Sequence, residues 1–124
     1  MVAPVGPVGG LEHLAELAAN EVREVLHAYR DRDAERAYQV WKDDVVLDEA
    51  YTGYFRQLLT YMMEDPRNIT PCAHLLFIAK NLERIGDHAT NIAETVYYSV
   101  TGEPLADARP KGDTSAYAVV RPRD

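Results

Sequence analysis

Residues 75–102 read LLFIAKNLERIGDHATNIAETVYYSVTG, and their apolar positions recur at alternating steps of three and four until the last pair. The positions that form this stripe are Leu75, Ile78, Leu82, Ile85, Ala89, Ile92, Val96 and Val100. Such spacing is typical of one apolar face of an α-helix. Thr70 and Pro71 provide a start signal, since a threonine hydroxyl can cap a helix and proline suits its first position. Gly102 supplies a stop, so the pattern predicts one long helix.

Two further helices are predicted before this one. The first has an apolar stripe made of Leu11, Leu14, Ala18, Val22, Val25 and Tyr29. The second runs from about Asp33 to Met63, with Asp31 or Asp33 as its cap and a breaker string at residues 65–68 after it. Strand signals are nearly absent, and each apolar stripe must find a partner. The sequence therefore predicts an all-α, up-down-up antiparallel three-helix bundle over residues 11–102.

The two ends of the chain differ from this bundle. Residues 1–10 are small, proline-containing and uncharged, so we predict a flexible lead or a remnant of truncation. Residues 103–124 are rich in proline and charge apart from a short apolar run at 117–120. This composition predicts an irregular tail, with the apolar run either packed as a strap or mobile.

The composition narrows the class of protein. The chain has 124 residues, which suits a single domain. Acidic residues outnumber basic ones by 20 to 13, and the net charge of -7 repels nucleic-acid backbones and anionic membrane surfaces. No stretch approaches the roughly 18 to 20 apolar residues of a membrane span. With one cysteine and hence no internal disulfide, we expect a cytoplasmic protein that neither binds nucleic acid nor enters the membrane.

Two aspartates interrupt an aromatic seam in the second predicted helix. The seam positions are Ala37, Trp41, Asp44, Asp48, Tyr51, Phe55, Leu58 and Met62. Asp44 and Asp48 lie roughly 40° apart around the helix axis, between the directions of Trp41 and Tyr51. Two ionised carboxylates on such a face repel each other and lose hydration, which is unfavourable unless a cation or hydrogen-bond donors compensate.

A second acidic pair lies in the third helix. Glu83 and Asp87 are again four residues apart, roughly 110° to 170° from the centre of the apolar stripe. One interpretation is a solvated face. The other is a joint site with Asp44 and Asp48, because antiparallel neighbours would bring the two pairs together. The predicted metal ligands are Asp44, Asp48, Glu83 and Asp87, with Asn91 and Glu94 as secondary candidates.

Oxygen donors on adjoining helices suit hard cations. Iron, manganese or magnesium are the predicted ions, zinc is a further candidate, and carboxylate bridging allows a multinuclear site. Two other patterns are weaker. Glu24 and His27 have the Glu-x-x-His spacing of di-iron carboxylate bundles, but only one copy exists. Cys72 opens the third helix, where the helix dipole could activate a thiol, but no histidine base is identifiable.

The string FIAKNLERIGDHATNIAETVYYSVTG at residues 77–102 closely resembles the third helix of the repeat in PhoU-type phosphate-signalling regulators. The resemblance extends through YFRQLLTYMMEDPRNITP at residues 54–71. It implies a protein of two three-helix bundles whose Glu/Asp-x-x-x-Asp motifs bind multinuclear metal clusters. Here those motifs fall on Asp44 with Asp48 and on Glu83 with Asp87.

The resemblance also implies a function. Family members are negative regulators of the phosphate-starvation response, without catalytic activity, and they act between a phosphate ABC transporter ATPase and a sensor histidine kinase. This chain would be a metal-binding helical adaptor of that kind. It matches one repeat, the C-terminal one, where the family has two, so we expect a homodimer to replace the missing bundle. The alternatives are a metal-free helical interaction module and a carboxylate-bridged di-iron enzyme.

Overall fold

Three long helices form the structure. The computed structural model describes residues 5–105, and the side chains of residues 9–105. The helices are α1 (Val5–Asp31), α2 (Ala34–Glu64) and α3 (Ile69–Thr101), with a 3-10 helix at Pro66–Asn68 before α3. Each long helix contacts the other two, and the connections are short enough to make successive helices antiparallel. The predicted all-α helical bundle is confirmed.

An aspartate caps the helix that follows each of the two connections. Asp33 caps α2, since its side chain accepts a hydrogen bond of 3.0 Å from the backbone N–H of Arg36. Asp65 caps the 3-10 helix in the same way, and its hydrogen-bonded ion pair with Arg67 holds the pKa of that carboxyl below its usual value. The 3-10 helix leads directly into α3, so α3 begins at Ile69 and needs no cap from Thr70.

The start of α1 differs from the prediction. The helix begins at Val5, so residues 5–10 extend α1 and are not an irregular lead. Pro7 is compatible with this start because the first turn of a helix needs no backbone N–H from it. Gly10 allows α1 to pass close to α2: a Cβ there would lie 2.5 Å from Cδ1 of Tyr54. This close approach outweighs the low helix propensity of glycine.

The buried face of α1 is rotated from the predicted stripe. Leu14, Ala18, Glu21, Val25 and Ala28 are its buried residues, at steps of four, three, four and three. The predicted stripe was wrong at its C-terminal end, because Tyr29 is 68% exposed and Val22 is only partly buried. The core therefore accepts a carboxylate and an alanine in place of two larger apolar side chains.

Helix α3 turns its small residues inward. Ala79, Gly86, Ala89 and Ala93 are buried, and Glu83 and Thr90 are buried beside them. Small side chains allow the helix axes to approach closely, so the bulkier residues of the predicted stripe move to the edge. Ile78, Ile85 and Ile92 are 47%, 41% and 42% exposed. The apolar stripe of residues 75–102 is thus only partly used by the fold.

The C-terminal end of α3 follows the prediction. Gly102 has a φ of 78°, in the left-handed region, and its N–H donates to the carbonyl of Tyr98 at 2.8 Å. Leu105 packs against the cluster around Trp41, Ala93 and Val96. The rest of the predicted irregular tail, including the apolar run at 117–120, lies outside the described residues.

Tyr54 gives the fold a pH dependence. Its side chain is 3% exposed, and burial raises the pKa of its phenol to about 12. Between pH 10 and 12 the unfolded chain loses this proton while the folded chain keeps it, so the free energy of unfolding falls as pH rises through that window. In urea melts, we expect the free energy of unfolding of Tyr54→Phe to fall less than that of the unchanged chain between pH 10 and 12. The difference between the two declines should be up to about 3 kcal/mol. Parallel pH profiles for the two proteins would contradict the assignment.

Candidate metal centre

The acidic pair of α2 lies in the interior of the bundle. Asp44 and Asp48 both have 0% exposure, and they are flanked along the helix by the buried residues Trp41, Leu47 and Tyr51. The seam pattern of the sequence is therefore the actual packing face of α2. Carboxylates are seldom fully buried unless they are paired or bind a cation. The burial of this pair therefore indicates a site where charged or hydrogen-bonding groups, or a cation, stabilise the carboxylates.

Helix α3 adds a third carboxylate to this pair. Asp44, Asp48 and half-buried Asp87 each provide an oxygen, and these three oxygens all lie within 4.8 Å of one another. Within the described residues this is the one group of three or more histidine, cysteine, aspartate or glutamate side chains with such geometry. The structure thus brings together three of the four ligands that were predicted from the spacing of the two acidic pairs.

Glu83 is buried but lies outside that group of three. Its side chain is 2% exposed, and its Oε1 accepts a hydrogen bond of 3.0 Å from Nζ of Lys80, one turn earlier in α3. The same ammonium lies 5.2 Å from the centre of the Tyr51 ring. Lys80 therefore compensates the charge of Glu83 beside the three aspartates, which the sequence pattern alone did not indicate.

The two secondary candidates do not join the three aspartates. Asn91 is exposed. Glu94, about two turns beyond Asp87, accepts a hydrogen bond of 3.0 Å at Oε2 from Nε1 of Trp41, which links α3 to α2. Since a buried indole N–H requires an acceptor, this contact gives Glu94 a structural role.

Glu21 of α1 is an acidic residue that the sequence analysis did not select. It is 8% exposed, and its Oε1 lies 3.1 Å from the position that a Cβ on Gly86 would occupy. Oδ1 of Asp44 lies 3.0 Å from that same position. Helices α1 and α2 therefore each bring a carboxylate to the space next to Gly86 of α3. The 4,3,4,3 spacing of the buried α1 residues contained this signal.

The other candidate patterns lie elsewhere. Glu24 accepts a hydrogen bond of 2.9 Å from Nε of Arg36, so it serves as the partner of an arginine on α2. Cys72 is buried, and burial raises the pKa of its thiol, which is the opposite of activation by a helix dipole. His88 is exposed. None of these residues belongs to the group of three aspartates.

The donor set fits a hard cation. Asp44, Asp48 and Asp87 offer carboxylate oxygens only, the ligand type that magnesium, manganese and iron accept and that soft, thiolate-preferring sites do not use. Two of these donors come from α2 and one from α3. A cation bound here would offset the mutual repulsion of the three carboxylates and connect the two helices.

Sequence comparisons identify relatives. Residues 11–96 match the PhoU domain family. A phosphate-specific transport system accessory protein PhoU homolog from Rhizobium meliloti (strain 1021) is 61% identical over 107 residues, covering 86% of this chain and 45% of the relative. One of the same name from Xylella fastidiosa (strain 9a5c) is 52% identical over 113 residues, covering 91% and 48%. An accessory protein PhoU from Edwardsiella tarda is 40% identical over 93 residues, covering 75% and 38%.

The chain thus spans less than half the length of these relatives. No solved structure matches it significantly. Among the described residues, no helix is both long and apolar enough to cross a membrane.

Proposed function

The chain belongs to the PhoU family, and on that premise we propose that it is a regulatory unit of phosphate transport whose acidic centre binds a hard metal cation. The observation that carries this proposal is the convergence of Asp44, Asp48 and Asp87 within 4.8 Å. Its relatives are named as accessory proteins of a phosphate-specific transport system. The proposal joins that role to the buried carboxylates of this chain.

The cation has a structural task in this proposal. When bound, it supplies positive charge to three carboxylates that are otherwise close together in a water-poor interior. Asp44 and Asp48 would hold it from α2, and Asp87 would hold it from α3. Binding to the folded state alone stabilises that state, so metal loading would set how firmly the two helices stay together. The ion is iron, manganese or magnesium, in one or more copies.

The bundle would act as an adaptor in the cytoplasm. Its proposed partners are the ATPase of a phosphate ABC transporter and a sensor histidine kinase, and its proposed effect is to repress the starvation response when phosphate is plentiful. A net charge of -7 favours partner surfaces that carry positive charge. The proposal includes no catalytic step.

A genetic experiment tests this role. Deletion of the gene that encodes this chain is expected to make a phosphate-starvation reporter constitutive in phosphate-rich medium. Complementation with the unchanged gene should restore repression, and Asp43→Asn should restore it equally, because Asp43 is exposed and accepts its hydrogen bonds from Gln39, one turn earlier on the same helix. Asp44→Asn should restore it less well. Unchanged repression in the deletion strain would overturn the regulatory role. If Asp43→Asn and Asp44→Asn complemented equally well, the regulatory role would not depend on the acidic centre.

A further inference from the structure

A lysine lies at the edge of the acidic centre. Nζ of Lys80 donates to Oε1 of Glu83 at 3.0 Å and lies 5.2 Å from the centre of the Tyr51 ring. These two contacts belong to different helices, because Glu83 is on α3 together with Lys80, whereas Tyr51 is on α2. The ammonium group therefore lies between the two helices that carry the three aspartates.

Each of these contacts is one helical turn from an aspartate of the centre. Glu83 precedes Asp87 by four residues in α3, and Tyr51 follows Asp48 by three residues in α2. Side chains at these spacings are neighbours on one face of a helix. Lys80 thus brings a positive charge next to the place where a cation held by Asp48 and Asp87 would bring one.

The two members of the ion pair differ in their access to water. Only 2% of the Glu83 side chain is exposed, whereas 43% of the Lys80 side chain is exposed. A buried carboxylate needs a positive partner or hydrogen-bond donors, and loss of that partner is strongly unfavourable. A lysine has a flexible stem and a strongly hydrated ammonium group, so Lys80 can turn into water once another positive charge is near Glu83.

Repulsion makes the ammonium group and a cation competitors. The ammonium group is 3.0 Å from a carboxylate that lies one turn from Asp87, so a cation bound by Asp87 would lie close to it. Like charges repel more strongly in a water-poor interior than in solvent. Departure of Lys80 removes this repulsion, and it leaves the buried carboxylate of Glu83 with an oxygen to offer in place of the broken ion pair.

On the premise of the proposed function, that the acidic centre binds a cation, we propose that Lys80 competes with this cation for Glu83. In metal-free protein Lys80 is the counter-ion of Glu83 and connects α3 to Tyr51 on α2. In metal-bound protein Lys80 extends into solvent, and Glu83 joins the three aspartates as a further ligand. Lys80 thereby lowers the affinity of the centre and stabilises the fold when no cation is bound.

Calorimetric titration of the purified, chelator-stripped chain with manganese tests this competition. Lys80→Met removes the ammonium group and keeps an unbranched stem, and it should lower the dissociation constant for manganese by about tenfold. Lys80→Arg keeps the positive charge and should show no such gain. Lys42→Met is the matched control, because it removes the same charge from an exposed position on α2 and should change manganese binding much less.

A second comparison tests whether the gain depends on Glu83. In Glu83→Gln there is no carboxylate at this position for Lys80 to release, so the addition of Lys80→Met should improve manganese binding much less than it does in the unchanged chain. In chelator, Lys80→Met should unfold at a lower urea concentration than Lys42→Met, because buried Glu83 loses its ammonium partner. Circular dichroism of each variant checks its helicity.

The outcomes separate this inference from the proposed function. If neither the unchanged chain nor Lys80→Met bound manganese, both would be overturned. If both proteins bound manganese and Lys80→Met bound it no more tightly, the competition alone would be overturned. The same holds for an equal gain in Lys42→Met, for an equal gain in the presence of Glu83→Gln, and for equal urea stability of the two lysine variants in chelator. A gain that requires Glu83 would support the competition.

Discussion

Gly86→Ala is expected to lower the free energy of unfolding by about 2 kcal/mol, whereas Gly53→Ala is expected to raise it by about 0.5 to 1 kcal/mol. Both glycines lie inside long helices, so both substitutions gain the same helix propensity. They differ in their surroundings. A Cβ at Gly86 would overlap Cδ2 of Leu47 and would come within 3.1 Å of carboxylate oxygens of Asp44 and Glu21. A Cβ at Gly53 would meet nothing within 4 Å.

Urea melts of both variants measure this difference under one set of conditions. The unchanged chain is the reference, and Gly53→Ala controls for the intrinsic effect of the added methyl group. If Gly86→Ala were as stable as Gly53→Ala, the close contact of α3 with α1 and α2 at this point would be incorrect. The convergence of three helices next to the acidic centre would then also be incorrect.

Asp44→Asn is expected to stabilise the protein when no cation is bound and to be less stable than the unchanged chain when a cation is added. With a chelator present, the variant should be about 1 kcal/mol more stable than the unchanged chain, because it removes one of three mutually repelling carboxylates. With manganese at about 100 times its dissociation constant, the unchanged chain gains about 2.7 kcal/mol and becomes the more stable protein. Thermal melts in both conditions measure the two differences.

Asp43→Asn is the matched control for that reversal. It makes the same chemical change one residue earlier in α2, on an exposed carboxylate that accepts hydrogen bonds from Gln39. Its stability should follow that of the unchanged chain in chelator and in manganese alike. An equal response of the Asp43 and Asp44 variants to manganese would show that the cation acts elsewhere on this acidic chain.

The periodicity of apolar residues was sufficient to predict three helices and their turns. The helical bundle follows from stripes that must find partners, and the aspartate before α2 and the glycine after α3 cap their helices as expected. The start of α1 was not predictable in this way. Residues 5–10 contain glycine and proline and are nevertheless helical, and at Gly10 the helix passes close to Tyr54, a contact that local propensity does not contain.

The faces of the helices were harder to predict than the helices themselves. In α3 the most apolar stripe was expected to be the most buried, but close packing favoured Ala79, Gly86 and Ala93 over the larger isoleucines. In α1 the same preference buried Ala28 and exposed Tyr29. A sequence pattern measures hydrophobicity at a position, whereas the approach of two helices depends on side-chain size at the contact.

The candidate site was predicted in part. The aspartates of α2 were identified because they interrupt an apolar seam, and Asp87 was identified from its spacing to Glu83. The sequence did not reveal that Lys80 pairs with Glu83, because the geometry of that pair depends on rotamers. Glu21 was missed because the apolar stripe of the first helix was traced through apolar residues alone, whereas the buried face of α1 includes this carboxylate.

Metal analysis of protein purified without chelator shows whether Asp44 and Asp48 hold a cation. We expect about one or more equivalents of iron, manganese or magnesium per chain in the unchanged protein and in Asp43→Asn. The double variant Asp44→Asn, Asp48→Asn should retain less than about a tenth of that amount while circular dichroism shows the same helicity. Equal metal content in all three proteins would contradict the assignment of a cation site to these aspartates.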